Sequence, residues 1–351
     1  NIGWDLGFFD GRLNIGGDFY YKKTTDLFTN VDVSPINGIT SYIMNNGDML
    51  NKGFSISLNG YPVKTKNFRW YMSTYYSVNL NKVQTDDARN YNLNDYLNGT
   101  AVVSGQPIST FYSYKFLGLN PQNGAPMFDD WEDRWHLLQG KTLDEVVPMI
   151  LVNSGTRDPK FSGDLNNTFT YKNWSLSLNF SYSLGSKVRL FEMYGPIING
   201  ISAAANVREE FLDRWQVPGD EKYTVYPSII SPSSPDYEHY RLHYSAPQRA
   251  VGPNSGVPAF ANNVWQMYDD SDLRVVSGNY LKLQSLSFSY RLNDRLLRKT
   301  PFTQLSISFN THNCFTISAK ELRGQDPSQA GFADAGLSIR PSYTIGLNVS
   351  F

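Results

Sequence analysis

From Ser175 to Leu184 the chain alternates residue by residue: Leu176, Leu178, Phe180, Tyr182 and Leu184 interleave with Ser175, Ser177, Asn179, Ser181 and Ser183. A period of two marks a strand whose two faces meet different surroundings. Similar runs cover Leu13 to Tyr21, Phe54 to Leu58, Phe68 to Leu80, Leu286 to Tyr290 and Leu305 to Phe309. Tyr343, Ile345, Leu347, Val349 and Phe351 form the last one. A soluble sandwich alternates too, so strand length has to separate the readings. Soluble strands run to about five or six residues, whereas a strand crossing a bilayer needs about 9–11. Arg12 to Lys22, Phe68 to Asn81 and Trp174 to Leu184 reach that length. Their polar face is Ser, Asn, Thr and Gly, which suits a wet lumen, and Tyr, Trp and Phe end the apolar face as an aromatic girdle does.

The connections alternate as well. Short links at Asp10-Gly11, Pro62 to Asn67, Lys172-Asn173 and Asn293 to Pro301 are interleaved with long ones at 28–48, 84–159, 187–278 and 315–339. Membrane barrels have short periplasmic turns and long extracellular loops. The expected spanning strands are Asn1–Phe9, Arg12–Leu27, Met49–Tyr61, Phe68–Val83, Lys160–Tyr171, Asn173–Ser186, Asn279–Leu292, Phe302–Asn313 and Arg340–Phe351. Phe111–Leu119 also reads as a strand, but it must lie inside a long loop or the alternation fails. The last strand then runs inward, with Phe351 periplasmic.

About nine is odd, whereas single-chain bacterial barrels close with even numbers. The chain also opens at Asn1-Ile2-Gly3-Trp4, in the middle of a strand and without a signal sequence. The reading is therefore all-β: residues 1–351 as the C-terminal part of one large antiparallel transmembrane β-barrel, closing onto a first strand outside this sequence. One strand is irregular, since Leu281 and Leu283 lie out of phase with Leu286, Phe288 and Tyr290. Either a bulge near Gln284-Ser285 resets the register, or those leucines sit above the membrane against loops.

Composition excludes several classes. Aromatics at 15% and charged residues at 18% rule out ordinary disorder, and no segment approaches the roughly 18 apolar residues of a membrane helix. A net charge of −1 gives no basic footprint for nucleic acid. The single Cys314 cannot form an internal disulfide. His239 and His243 would suit a metal on a helix, but their Ser/Pro-rich context reads as loop; His312 reads as a lumen wall residue, and His136 adds no motif. Asp129, Asp130, Glu132 and Asp133, and likewise Asp269, Asp270 and Asp272, read as solvated loop edges rather than calcium ligands. With no G-x-S-x-G elbow or Walker loop, neither an enzyme nor a cofactor is expected. Asn206 to Trp215 reads as a short helix with Val207, Phe211, Leu212 and Trp215 on one face.

Several stretches carry a family likeness: Asp18-Phe19-Tyr20-Tyr21-Lys22-Lys23-Thr24-Thr25-Asp26-Leu27, Asn46-Gly47-Asp48-Met49-Leu50-Asn51-Lys52-Gly53, and Arg157-Asp158-Pro159-Lys160-Phe161-Ser162-Gly163-Asp164-Leu165-Asn166-Asn167. Asp213-Arg214-Trp215, Ser277-Gly278-Asn279-Tyr280-Leu281-Lys282-Leu283 and the terminal strand continue it. The chain resembles the SusC/RagA-like TonB-dependent transporters of the Bacteroidetes outer membrane. That resemblance implies a large barrel with an N-terminal plug, and import of oligosaccharides or oligopeptides driven by TonB. It also implies a SusD-like surface lipoprotein over the extracellular loops. The plug and the TonB box belong to the family's N-terminal part and are absent from this sequence.

Loop aromatics could then meet a glycan or peptide substrate; the candidates are Trp131, Trp135, Tyr226, Tyr237, Tyr240 and Trp265, alongside Tyr91, Tyr96 and Tyr223. The alternative is that they pack the loops into a rigid cap. Tyr343, Ile345, Leu347, Val349 and the closing Phe351 resemble the signal that barrel-assembly machinery recognises, with outer-membrane lipid against their stripe. Two rivals stand beside import. A passive porin, or a structural barrel in a surface complex, would lack the plug. A secreted adhesin would purify without detergent.

Overall fold

The computed structural model describes residues 1–32, 38, 41–45, 47–84, 91, 93–129, 132–195, 206–229, 245–246, 260–261, 264–298, 300–329 and 340–351. Among them, nine strands form one antiparallel sheet in which each strand pairs with the next along the chain. They are β1 (Ile2–Phe8), β2 (Leu13–Thr24), β3 (Asp48–Lys64), β4 (Phe68–Gln84), β5 (Phe161–Tyr171), β6 (Trp174–Leu184), β7 (Tyr280–Arg291), β8 (Gln304–Ser318) and β9 (Ser342–Ser350). The sheet is open, with β1 and β9 at its edges.

Residues opposite each other in an antiparallel ladder project to the same side. One face can therefore be followed across every strand. Leu178 stands between Asn167 and Leu286, and Phe309 between Phe288 and Ile345. The other face sets Ser177 between Thr168 and Ser287. Its side chains bond to one another: Ser73 Oγ to Asn59 Oδ1 at 2.6 Å, Asn166 Nδ2 to Asp164 Oδ2 at 3.0 Å, and Ser287 Oγ to Asn310 Oδ1 at 2.7 Å. Ser55 likewise donates to Asp18.

The apolar face stays open: Ile2, Leu6, Ile307, Ile345 and Leu347 are all exposed. Soluble monomers rarely show an apolar patch beyond the order of a few hundred Å², whereas this one runs across all nine strands. Aromatic contacts gather toward its two ends. Trp174 lies 5.2 Å from Phe288 and 4.2 Å from Tyr290 at the short-turn end, and Tyr76 lies 6.0 Å from Phe161 at the other. The 11 residues of β6 extend about 33 Å, or about 25 Å in height at a tilt of about 40°, the height of the apolar band of membrane barrels. Polar groups within the band find partners, Thr311 Oγ1 meeting Cys314 Sγ at 3.2 Å. Thr74 Oγ1 donates to Asp164 O at 2.8 Å, and Asn167 Oδ1 accepts from Trp70 Nε1 at 2.9 Å.

Glycine is required where an aromatic ring crosses a neighbouring strand, on either face. A Cβ at Gly163 would lie 2.5 Å from the Tyr182 hydroxyl, so only glycine lets that ring cross β5 and donate to Tyr75 O at 3.2 Å. Gly53 does the same for Tyr20, whose hydroxyl reaches Asn79 Oδ1 at 2.9 Å.

The irregular strand contains a bulge. Asn179 pairs with Ser285 and Phe180 with Leu283, leaving Gln284 as the extra residue. Leu281 and Leu283 thereby rejoin the face of Leu286, and Gln284 Nε2 donates to Ser181 Oγ at 2.7 Å. Phe111–Leu119 lies outside the sheet, as expected, and divides into strands Thr110–Tyr114 and Phe116–Leu119; the first pairs with Leu151–Thr156.

Three expectations need correction. The link placed at Pro62–Asn67 is shorter, because β3 runs on to Lys64 through a bulge between Gly60 and Val63 that tolerates a residue with no N–H to donate. At its loop end β8 continues to Ser318, so the last long connection starts after Phe315. Asn206 to Trp215 is not an α-helix: only Glu209–Asp213 is helical, and it is a 3-10 turn. Three residues per turn rotate Leu212 away from Phe211. Leu212 is 73% exposed and Val207 is exposed too, while Phe211 and Trp215 are buried.

Candidate functional site

The main apolar core lies in the long connections, not in the sheet. Tyr96, Leu97, Tyr112, Tyr114, Phe128, Val146 and Val147 from the second connection pack with Met193, Tyr194, Phe211, Trp265 and Tyr268 from the third. Leu322 of the fourth joins Val188 and Leu190 in a smaller cluster. Three segments distant in sequence thus form one ordered cap. Its local order follows from short capped elements such as helix Leu143–Ile150, whose Glu145 Oε2 accepts from Thr142 N at 2.8 Å.

A buried charged layer ties the segments together. Asp269 is 3% exposed, and its carboxylate accepts from the backbone N–H of Met193 and Tyr194 at 2.8 Å and of Gly195 at 2.9 Å. Burial pushes Asp269 up to about 6 and Asp270 up to about 7, outweighing the nearby Arg274 and Arg189 respectively. Arg189 reaches Asp270 at 3.9 Å and donates to Tyr112 O at 2.8 Å. The Phe111 ring lies 5.4 Å from the Arg157 guanidinium and 5.7 Å from that of Arg189. Buried Glu210 holds Arg208 at 2.6 Å, and Asp272 accepts from Phe116 N at 3.0 Å. The Asp269–Asp272 run is therefore an internal clamp and not the solvated edge expected. Its amide partners lie more than seventy positions away, so no local pattern could reveal it.

The cap is rooted on the polar face of the sheet. Asn81 Nδ2 donates to Asp158 Oδ2 and Asn81 Oδ1 accepts from Ile108 N, both at 2.9 Å, while the Val83 backbone pairs with Gly105 and Gln106. Lys282 of β7 and Asp326 of the fourth connection form an ion pair at 3.1 Å whose side chains are only 4% and 7% exposed. These roots rise from the wall's polar face, so the cap closes over the side that would form a lumen.

The expected contact residues divide. Trp131, Tyr237 and Tyr240, like His239 and His243, lie outside the described residues. Trp135 stands in the 3-10 turn Glu132–Leu137. Trp265 is buried, with its indole N–H donating to Ser228 O at 3.3 Å. Tyr91 and Tyr96 are also in the core. Tyr226 packs beside that core and carries the Arg323 guanidinium 5.6 Å from its ring. Tyr223 is 90% exposed, on the same segment as exposed Leu212 and Val217. Tyr343, Ile345, Leu347 and Val349 share the apolar face of β9, and Phe351 meets Phe302 at 5.2 Å.

No family model matches the chain. It is 24% identical over 380 residues to TonB-dependent receptor P3 of Formosa agariphila, covering 100% of this chain and 34% of that protein. Against TonB-dependent receptor SusC of Bacteroides thetaiotaomicron it is 28% identical over 212 residues, covering 57% of this chain and 20% of SusC. In structure it matches a chain of the RagAB peptide transporter with TM-score 0.70 at 20% identity, over 99% of this chain and 34% of that one. The chain thus spans about a third of the length of the curated receptor P3. The nine-strand meander and its two unlike faces agree with these likenesses: the chain has the fold of part of a larger antiparallel barrel, and it is similar to the SusC/RagA-like TonB-dependent receptors of the outer membrane.

Proposed function

We propose that the protein imports oligosaccharides or oligopeptides across the outer membrane, energised by TonB and lidded by a SusD-like surface lipoprotein. The observation that carries this reading is the packed loop cap rooted on the polar face of the wall. A pore open to solvent needs no such cap, whereas selective uptake needs an ordered mouth. In this reading the long connections are extracellular, and the short turns and Phe351 are periplasmic. Exposed Leu212, Val217 and Tyr223 on the cap suit a protein lid, because exposed apolar clusters mark interaction surfaces. The open edges at β1 and β9 carry backbone groups that lipid cannot hydrate, so a membrane wall requires further strands. A peptide cargo gains weight from the likeness to a peptide transporter. Tyr226, packed beside the core with the Arg323 guanidinium 5.6 Å from its ring, is the described aromatic we take as the cargo-contact candidate.

The test is purification of the intact protein from native outer membranes, with mass spectrometry of co-purifying protein and bound ligand, and uptake measured with and without TonB. A bound glycan or peptide, a co-purifying lipoprotein and TonB-dependent uptake are expected. Uptake that persists without TonB would make the protein a passive porin.

A further inference from the structure

We propose that the apolar face binds one anionic phospholipid in a groove at its short-turn rim, running from β2 to β4. This inference rests on the membrane reading above. The groove is a cavity of about 360 Å³, within the range of roughly 300–1,000 Å³ typical of small-molecule sites.

Its origin is legible in the residues. Gly60 lies on the apolar face between Leu13 and Met72 and offers no side chain to fill the space. A Cβ there would come within 2.5 Å of Arg12 O, so the gap cannot be filled by a larger residue. Immediately beyond it the β3 ladder shifts register between Gly60 and Val63. Tyr61 packs its ring on Tyr71 at 5.1 Å, and Pro62 has no N–H to donate. A missing side chain and an interrupted ladder therefore meet at one point of an otherwise continuous wall.

The lining selects the ligand. Leu13, Leu58 and Met72 form an apolar floor on the face that meets acyl chains, and an alkyl chain is what that environment supplies to fill a depression. Arg12 also lines the cavity, at the level of the turn, and forms no ion pair with another described residue. An arginine at headgroup depth favours a phosphate carrying net negative charge over a zwitterion, by about fivefold for one cation near the surface. The occupant is thus a glycerophospholipid with one chain in the groove and an anionic headgroup at Arg12.

The experiment is native mass spectrometry of the intact protein in mild detergent with phosphatidylglycerol or phosphatidylethanolamine added. One retained phosphatidylglycerol per barrel is expected, preferred about fivefold. Arg12→Gln should abolish the preference but leave chain binding. Met72→Trp, which fills the groove, should abolish retention of both lipids, and heat-dependent gel mobility verifies that each variant is folded. An undiminished preference in Arg12→Gln, or unchanged retention in Met72→Trp, overturns the proposal. A protein that folds and stays soluble without detergent would sink the membrane reading itself. One that inserts into bilayers yet retains neither lipid sinks only the groove.

Discussion

Replacing Leu178 with lysine places a charge in the middle of the apolar band. Leu178 is flanked by Asn167 and Leu286 on the neighbouring strands, with Leu176 and Phe180 on the same face of β6. Trp174 and Leu184 bound the strand, about 13 Å and 20 Å away along it. At a tilt of about 40° these become depths of about 10 Å and 15 Å, and snorkelling toward either rim gives limited relief. A lysine near the midplane costs about 2–4 kcal/mol, roughly a 30- to 700-fold loss in the folding equilibrium. Ser177→Lys, one residue away, projects into the polar face, where it forfeits the 3.1 Å hydroxyl bond with Thr168, a net loss of about 0.5–1.5 kcal/mol. Urea titration of the intact protein in lipid vesicles, followed by gel mobility, compares the two. Equal midpoint shifts, or a larger one for Ser177→Lys, would refute the assignment of faces.

Three further outcomes follow from particular contacts. Asn167→Leu adds apolar surface to the lipid side yet strips the acceptor from the Trp70 indole; a loss of about 1–3 kcal/mol is expected, recovered when Trp70→Phe is added, and a stabilising single variant in the double-mutant cycle would contradict this. Lys282→Met leaves buried Asp326 without its cation, at about 3–5 kcal/mol; amide exchange should speed up over residues 319–329, and unchanged exchange there would sink the anchoring role. Burial pushes the Asp326 carboxyl up, but hydrogen bonds from Ser328 and Lys282 win and hold it below the ordinary value of 3.8, so its stabilisation is present above that value and is lost as pH falls through the lowered pKa. Asp269 and Asp270 behave oppositely: their pKa values, raised to about 6 and about 7, mean that the folded cap holds more protons than the unfolded one between about pH 4 and 7. Amide protection of 264–278 should therefore rise as pH drops through that window, and a protection profile flat in pH would refute the burial argument.

The wall was legible residue by residue, because a period of two needs no partner to be seen and short turns force neighbouring strands to pair. All nine strands, their antiparallel order and both faces could be read from runs such as Ser175 to Leu184, and the register slip at Gln284 showed as leucines out of phase. What the sequence left open were matters of long-range contact. The helix expected over Asn206–Trp215 became a 3-10 turn because packing of Phe211 into the cap core and of the Trp215 ring against Gly124 outweighed a weak local propensity. Trp265 had the chemistry of a contact residue, yet the fold buries it. Asp269 looked like a solvated acid until three amides from a distant segment closed on it. Periodicity is a property of consecutive residues and so survives in one dimension. The cap is held by pairs scores of positions apart, and only the tertiary structure decides which of them meet.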